Sequence, residues 1–191
     1  MITIAWDIDD VLNDLMRCWF EKKWLSEHQE CKVKYEDIKE NPPHFILSTS
    51  INEYLESLDA FRLSQEYINM KPEQTIMQWF SAHGANYRHV ALTAVPIKTA
   101  SVSAQWVLKN FGKWIRTFHF VPSNRPEENV PEYENNKADF LRWFGKVDIF
   151  IDDNMTNIRG AENAGNRSIL IPRPWNNQSH SLQEVLSLIT I

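Results

Sequence analysis

Residues 2–14 read ITIAWDIDDVLND, a short apolar run that leads directly into a group of carboxylates. The apolar residues Ile2–Trp6 predict a buried strand. The carboxylates that follow it are Asp7, Asp9, Asp10 and Asp14. A buried carboxylate is costly unless it is paired, protonated or bound to a metal. This stretch is therefore either a solvated acidic turn or a cation site.

The composition bounds the class of protein. A chain of 191 residues suffices for one well-packed domain with an inserted subdomain. The net charge of −5 argues against an extended nucleic-acid partner, which would favour a basic groove, but it is compatible with a small phosphorylated substrate. Cys18 and Cys31 are too sparse for a disulfide framework or a structural zinc site, and this favours a reducing compartment.

The apolar runs are shorter than a signal peptide or a membrane span requires. We therefore expect a cytoplasmic protein with no membrane partner. The sequence leaves open whether the chain forms a homo-oligomer.

Glycines divide the chain into repeating units. Each of four glycines follows a helix-like stretch and precedes a short β-rich run: Gly84, Gly112, Gly145 and Gly165. Glycine in the left-handed conformation is a common helix stop. The runs that follow predict four strands in addition to Ile2–Trp6, namely His89–Thr93, Thr117–Val121, Val147–Ile151 and Ser168–Ile171. The repeat predicts a Rossmann-like three-layer α/β/α fold with a five-stranded parallel sheet.

One connection is much longer than the others. About eighty residues separate the first two predicted strands, far more than one crossover helix needs. Helices are predicted there at Val11–Glu27, Ile51–Leu58 and Pro72–His83, and later in the chain at Ile97–Phe111, Asn136–Phe144 and Met155–Ala164. We interpret residues 14–85 as a helical cap subdomain, inserted after the first strand, and residues 1–13 and 86–191 as the α/β core domain.

Polar residues collect at one edge of the predicted sheet, where ligands bind in open parallel sheets. They are Asp7 and Asp9 after the first strand, Thr93 at the end of the second, Asp152 and Asp153 after the fourth, and Lys137 at the start of a helix. Asp7 and Asp9, two apart on an extended segment, can point into one pocket, whereas Asp10 points away. Converging carboxylates repel one another, so we predict a hard divalent cation, Mg²⁺.

These residue types suit phosphoryl transfer. A metal-bound carboxylate can attack the phosphorus of a phosphate ester and form an aspartyl-phosphate. A second carboxylic acid can protonate the leaving alkoxide and then activate water. A hydroxyl and an ammonium offset charge on the transferring phosphoryl oxygens.

The ordered set Asp7-x-Asp9, Thr93, Lys137 and Asp152–Asp153 resembles the haloacid dehalogenase superfamily of phosphohydrolases. The resemblance covers the whole sheet domain, and the long insertion matches a helical cap placed after the first motif. It implies a magnesium-dependent phosphatase with Asp7 as nucleophile, Asp9 as general acid/base, and Thr93 and Lys137 as phosphate contacts. It also implies metal ligation by Asp7, by Asp152 and by the backbone carbonyl of Asp9, with Asp153 supporting the metal shell.

Within the superfamily, three stretches resemble the 5′(3′)-deoxyribonucleotidase-like group. They are DIDDVLND (residues 7–14), IDDNMTNI (151–158) and RPWN (173–176). The resemblance implies a nucleoside monophosphate as substrate. One departure is visible, since Asp10 stands where many members carry glycine.

The cap aromatics admit two interpretations, because they could stack on a nucleobase or form the cap's own core. Phe45, in a Pro-Pro-His loop, and Trp175, in a loop at the active edge, are the candidates for substrate contacts. His44 is assigned to the surface, and Lys146 is a poorer candidate than Lys137 for the phosphate contact.

Four alternatives to a nucleotidase remain. Two are enzymes, a phosphatase of another small metabolite and a polynucleotide 3′-phosphatase. The third is a regulatory or binding protein that retains the fold. The fourth, a phospho-acceptor receiver domain, is disfavoured because its motifs occur in another order and it has no need of a large cap.

Overall fold

Five parallel strands form a single sheet in the computed structural model, which describes residues 1–123, 125, 130, 131 and 133–189. The strands are β1 (Thr3–Trp6), β2 (Arg88–Val95), β3 (Ile115–Pro122), β4 (Ile149–Asp152) and β5 (Arg167–Leu170). Their order is β3-β2-β1-β4-β5, and all neighbours are parallel, which confirms the predicted sheet. The first strand is therefore central.

The segment between β1 and β2 is mostly helical. It contains α1 (Leu15–Trp19), a π-helical stretch (Phe20–Trp24), α2 (Leu25–Glu27), a 3₁₀ turn (Tyr35–Asp37), α3 (Ile51–Arg62), α4 (Gln65–Ile68), α5 (Gln74–His83) and a second 3₁₀ turn (Gly84–Asn86). The later helices are α6 (Ile97–Phe111), α7 (Lys137–Phe144), α8 (Met155–Asn163) and α9 (Leu182–Ser187). Within the described ranges, each helix is too short or too polar to span a lipid bilayer.

Helix bounds differ from the predicted ones by up to four residues, as at α3, which ends at Arg62 rather than Leu58. The first helix begins at Leu15 rather than Val11, because the N–H groups of Leu12 and Asn13 bond to the carbonyl of Ile8 in a turn. The helix α5 begins at Gln74 rather than Pro72, because the Glu73 side chain accepts from the N–H of Ile76 and caps it. The bounds of α6 are as predicted.

Each face of the sheet is covered by helices, as the three-layer prediction requires. Ile4 and Trp6 of β1 belong to one hydrophobic cluster, which includes side chains of α5, α6 and α9. Ala5 belongs to the other, which includes side chains of α7 and α8. This alternation is the period-two pattern of a strand buried on both faces.

The helix α5 packs against the sheet. The rings of Trp79 and Phe80 lie 5.3 and 4.8 Å from that of Trp6. Trp6 Nε1 donates to Nδ1 of His89, whose Nε2 lies 2.8 Å from the carbonyl oxygen of Gly84. This packing favours grouping α5 with the sheet, as the crossover helix between β1 and β2, rather than with the predicted cap.

The helices α1 to α4, within Leu15–Ile68, are here called the cap. Its aromatic side chains Trp19, Phe20, Trp24 and Phe61 are all buried, in the same hydrophobic cluster as Trp6 of the sheet. The ring of Trp19, for example, packs edge-on against Tyr54 at 5.2 Å. These four aromatics therefore pack in a core, as one of the two interpretations expects, but the cap shares that core with the sheet.

All four glycines follow a helix and precede a strand, as predicted, but only two of them adopt the left-handed conformation. Gly145 and Gly165 have φ of 58° and 88°, in the left-handed region. Gly84 and Gly112 are right-handed, with φ of −56° and −59°. At Gly112 the reason for glycine is space, because a Cβ atom would lie 2.4 Å from the carbonyl oxygen of Leu108.

Candidate active site

A cavity of about 280 Å³ lies between the carboxyl ends of the central strands and the cap. The cap contributes apolar side chains of α1 and α3, including Met16, Tyr54 and Leu58. The predicted site residues that line the cavity are Asp7, Asp9, Thr93, Lys137 and Asp153. The fold therefore brings these five residues, from distant parts of the chain, to one cavity.

Lys137 binds two of the predicted carboxylates. Its Nζ lies 2.8 Å from Oδ1 of Asp7 and 2.7 Å from Oδ2 of Asp152. Asp7 follows β1 directly, and its N–H donates to the carbonyl of Ile151, extending the β1–β4 pairing by one residue. Adjacent parallel strands thus place Asp7 beside Asp152, and the first residue of α7 supplies the lysine.

Three carboxylates converge here. Asp7, Asp152 and Asp153 are buried, and each offers one oxygen within 4.8 Å of the others. With Lys137 they form what we call the acidic cluster, which has three carboxyl groups against one ammonium. A buried surplus of carboxylate oxygens is the donor set that Mg²⁺ prefers, so these residues fit the predicted metal.

The electrostatics of the acidic cluster point the same way. Burial raises the pKa of Asp7, Lys137 lowers it, and the charges of Asp152 and Asp153 raise it further. Burial, reinforced by Asp152, raises the pKa of Asp153 to about 8. Burial alone would lower the pKa of Lys137, but the carboxylates of Asp152 and Asp7 outweigh it, and that pKa is raised. The cluster therefore favours taking up a cation or a proton.

Neighbouring groups orient two carboxylates of the acidic cluster. Oδ1 of Asp152 accepts from the N–H of Asn154 (2.8 Å) and from Nδ2 of Asn157 (3.1 Å). Oδ2 of Asp153 accepts from Nε1 of Trp175 (2.7 Å). Trp175 thus orients a carboxylate and does not line the cavity, so the geometry gives no support to its predicted substrate contact.

Phe45 does not line the cavity either. Its side chain is 75% exposed, and its ring lies 4.0 Å from that of His44. Asn41 and Pro42, from the same loop, do line the cavity. The predicted stacking of Phe45 on a base therefore lacks support from this arrangement.

Thr93 is buried and lines the cavity, but it does not end its strand. The strand β2 continues to Val95, two residues beyond the predicted end. Ser123, which follows β3, also lines the cavity and adds a second hydroxyl that sequence patterns did not indicate.

Asp9 faces a different environment from Asp7. Its Oδ2 lies 3.0 Å from both Nε and Nη2 of Arg62. Its Oδ1 accepts from the hydroxyl of Tyr67 (3.1 Å) and from Nδ2 of Asn13 (3.2 Å). The carboxylate is therefore ion-paired to the cap, and its predicted metal contact through the backbone carbonyl stays a prediction.

Arg62 links Asp9 to a second buried carboxylate. Its Nη1 lies 3.2 Å from Oδ1 of Asp59. Arg125 binds both oxygens of the Asp59 carboxylate, with Nε 2.8 Å from Oδ2 and Nη2 2.9 Å from Oδ1. Lys98 Nζ lies 3.3 Å from Oδ2 of the same carboxylate. These five residues, Asp9, Asp59, Arg62, Lys98 and Arg125, are here called the arginine network. It joins the cap helix α3 to residues that follow β2 and β3.

Asp10 occupies a left-handed turn, with φ of 62°. Glycine adopts this conformation without strain, which suits the glycine that many members of the resembled group carry here. Aspartate tolerates the conformation better than most other residues. Oδ1 of Asp10 accepts from the N–H of Met16, and burial raises its pKa to about 8. Arg173 Nε donates to the Asp10 carbonyl at 2.7 Å.

Comparison with solved structures identifies the fold. A haloacid dehalogenase-like hydrolase from Streptococcus pneumoniae is 14% identical with a TM-score of 0.60, and the match covers 99% of this chain and 98% of that chain. A proposed β-phosphoglucomutase from Thermotoga maritima is 13% identical with a TM-score of 0.59, and the match covers 100% of this chain and 99% of that chain. A proposed hydrolase of the haloacid dehalogenase superfamily from Bacillus subtilis, bound to magnesium, is 13% identical with a TM-score of 0.57, and the match covers 99% of this chain and 97% of that chain.

The chain has a haloacid dehalogenase-like fold. No family model and no curated protein sequence matches it. At these identities the likeness establishes the fold, and the chemistry of the site depends on the residues themselves.

On this haloacid dehalogenase-like fold, several polar residues at the site had not been predicted. They are Asn13, Asp59, Arg62, Tyr67, Ser123, Arg125 and Asn157. The pair Asp59 and Arg62, three apart, could have been expected to share one face of a helix. No spacing rule would have placed that face on Asp9, 53 residues before Arg62.

Proposed function

We propose that this protein is a magnesium-dependent phosphomonoesterase that hydrolyses a small phosphorylated substrate through an aspartyl-phosphate on Asp7. The observation that carries the proposal is the acidic cluster, in which the cavity-lining Asp7 and Asp153 converge with the fully buried Asp152 beside Lys137. Several neighbouring structures of this fold are described as hydrolases, which supports a phosphatase-type activity.

The first half-reaction uses Asp7 and Asp9. A carboxylate oxygen of Asp7 attacks phosphorus, a new P–O bond forms, and the bond to the leaving oxygen breaks. Asp9 gives its proton to that oxygen, so the product departs as an alcohol. Thr93 and Lys137 contact the phosphoryl oxygens and offset their charge.

The second half-reaction regenerates the enzyme. Water attacks the phosphorus of the aspartyl-phosphate while Asp9 takes up its proton, and inorganic phosphate leaves Asp7 as a free carboxylate. A bound Mg²⁺ would lower the charge repulsion between the phosphate and the acidic cluster. Asp7, Asp152 and Asp153 would hold it, together with the Asp9 backbone carbonyl implied by the family resemblance.

A (deoxy)ribonucleoside monophosphate is the substrate we favour. The three stretches that resemble the deoxyribonucleotidase-like group support it, as does the apolar wall of Met16, Tyr54 and Leu58 beside the acidic cluster. A phosphosugar is the second candidate, because one structural neighbour is a proposed β-phosphoglucomutase. The net charge of −5 disfavours a polynucleotide 3′-phosphatase.

A panel of phosphomonoesters tests the proposal. Purified protein is assayed for phosphate release from nucleoside 5′- and 3′-monophosphates, phosphosugars and 4-nitrophenyl phosphate, with Mg²⁺ and with EDTA. We expect magnesium-dependent turnover, fastest with a nucleotide. Absence of hydrolysis throughout would favour the binding or regulatory alternative.

A further inference from the structure

The Asp9 carboxylate takes donors from two parts of the chain. Arg62 and Tyr67 belong to the cap helices α3 and α4, whereas Asn13 belongs to the loop after β1. Arg62 donates twice to Oδ2, and Tyr67 and Asn13 donate to Oδ1. The cap therefore contacts both oxygens of the residue that acts as acid and base in the proposed reaction.

The two oxygens are not held equally. Oδ2 receives two charge-assisted bonds of 3.0 Å from a guanidinium that is itself anchored on Asp59. Oδ1 receives two bonds from neutral donors, at 3.1 and 3.2 Å. All four bonds share the ionised acceptor, but only those from Arg62 also have an ionised donor, and these add the attraction between opposite charges in a buried site. A ligand in the cavity can therefore compete for Oδ1 more easily than for Oδ2.

Tyr67 has an alternative partner. Its hydroxyl lies 3.2 Å from the hydroxyl oxygen of Ser103, a fully buried residue of α6. A phenol carries one proton and donates to one acceptor at a time. If Oδ1 turns to a ligand, Tyr67 can donate to Ser103 instead, and no buried hydroxyl is left unpaired.

We propose that Arg62 is a positioning residue that anchors Oδ2 of Asp9, so that Oδ1 is the oxygen that exchanges protons with the leaving group and with water. This inference rests on the proposed function, because it assigns the working oxygen of that reaction. Arg62 itself neither gains nor loses a proton. Since Arg62 lies on the cap, docking of α3 on the sheet domain fixes the orientation of the acid/base group.

Leaving-group dependence tests the role of Arg62. Wild type, Arg62→Met and Arg62→Lys are compared on an alkyl phosphomonoester and on 4-nitrophenyl phosphate, whose nitrophenolate leaves without protonation. For Arg62→Met we expect kcat/KM, which reports the first half-reaction alone, to fall roughly tenfold to a hundredfold on the alkyl ester, less than or equal to the usual contribution of a general acid. On the nitrophenyl ester the loss of kcat/KM should stay within about threefold, because that leaving group needs no proton.

Arg62→Lys should recover part of the alkyl-ester activity, because an ammonium keeps the charge but not the planar fork. Tyr67→Phe should cost less than Arg62→Met. The matched control is Arg17→Met, a cap arginine paired with Asp14 and Glu36, which should behave as wild type. If Arg62→Met lost kcat/KM equally on both esters, or lost none on either, the positioning role of Arg62 would be overturned.

A stability cycle separates this inference from the proposed function. Thermal midpoints are measured for wild type, Asp9→Asn, Arg62→Lys and the double variant. Contacting residues give non-additive shifts, so the double variant should lose less than the sum of the single losses. Additive shifts would overturn the Arg62–Asp9 contact, and this measurement needs no enzymatic activity. Absence of hydrolysis, in contrast, would refute the proposed function and would leave the contact between Arg62 and Asp9 standing.

Discussion

Asp7 and Asp9 are two residues apart in the sequence, yet they belong to opposite electrostatic environments. In the acidic cluster, three buried carboxylates share the single ammonium of Lys137. In the arginine network, two carboxylates meet two arginines and a lysine. The first arrangement has more carboxyl groups than cations and can take up a further cation or a proton, whereas the carboxylates of the second are paired by the protein itself. Side-chain position, and not sequence proximity, decides what a carboxylate can do.

The largest effect should come from the reacting carboxylate of the acidic cluster. Asp7→Asn keeps the shape of the side chain but removes the nucleophilic oxygen, so we expect turnover of any accepted phosphomonoester to fall by several orders of magnitude. The variant should remain folded, as judged by circular dichroism. Substantial residual activity would contradict the assignment of the nucleophile.

Removing the lysine of the acidic cluster should cost stability. Lys137→Met leaves Asp7 and Asp152 without their ion-pair partner, and breaking a buried pair typically costs about 3–5 kcal/mol. Denaturant unfolding measured with EDTA should show this loss, and Mg²⁺ should offset part of it. The control is Lys146→Met at an exposed position near α7, which should change the free energy of unfolding little.

The arginine network should respond differently. Asp59→Asn removes the charge that faces Arg62, Lys98 and Arg125, and we expect a loss of about 2 kcal/mol, as for other charged hydrogen bonds. Because this network holds its own cations, the loss should be the same with Mg²⁺ and with EDTA. A magnesium-dependent loss would erase the distinction between the two clusters.

The affinity for Mg²⁺ should rise with pH. Asp7 and Asp153 have raised pKa values, the latter about 8, so a bound metal must displace their protons. Between pH 6 and 8 we expect tighter binding by up to about tenfold per pH unit for each proton that the metal displaces. Calorimetric titrations in buffers of different ionisation enthalpy would measure both the affinity and the proton release.

Stability without metal should show the opposite trend. A carboxyl whose pKa is raised by folding stabilises the fold while it is protonated, so the metal-free protein should lose stability as pH rises towards 8. Added Mg²⁺ should remove this dependence. A Mg²⁺ affinity that does not change with pH would contradict the assignment of Asp7 and Asp153 as metal ligands.

The smallest effect should come from Trp175, which lies outside the cavity and orients Asp153, a proposed metal ligand. Trp175→Phe removes the 2.7 Å bond to Oδ2 of Asp153 and keeps an aromatic ring beside Tyr35. Loss of such a partner typically weakens metal binding by about tenfold or more, and we expect the low end of this effect because Asp153 is one of three carboxylates. Magnesium titration would measure it.

The sheet and its acidic cluster were largely predictable from sequence. Strand ends in a parallel sheet share one edge, so Asp7, Asp152 and Lys137 followed from the positions of β1, β4 and α7. The arginine network was not predictable, because contacts such as Arg62 with Asp9 depend on how the cap folds back over 53 residues. The substrate contacts suggested for Phe45 and Trp175 rested on loop position alone, which does not fix where a ring points.

The separation of Asp7 from Asp152 has a consequence for the time at which the site forms. The two residues are 145 positions apart, and Trp175 follows Asp153 by a further 22. During synthesis Asp7, the proposed nucleophile, emerges first, whereas the other two carboxylates appear only after most of the domain has been made. A nascent chain therefore carries Asp7 without the two carboxylates that are proposed to share a metal ion with it, and the acidic cluster forms only when the sheet is nearly complete.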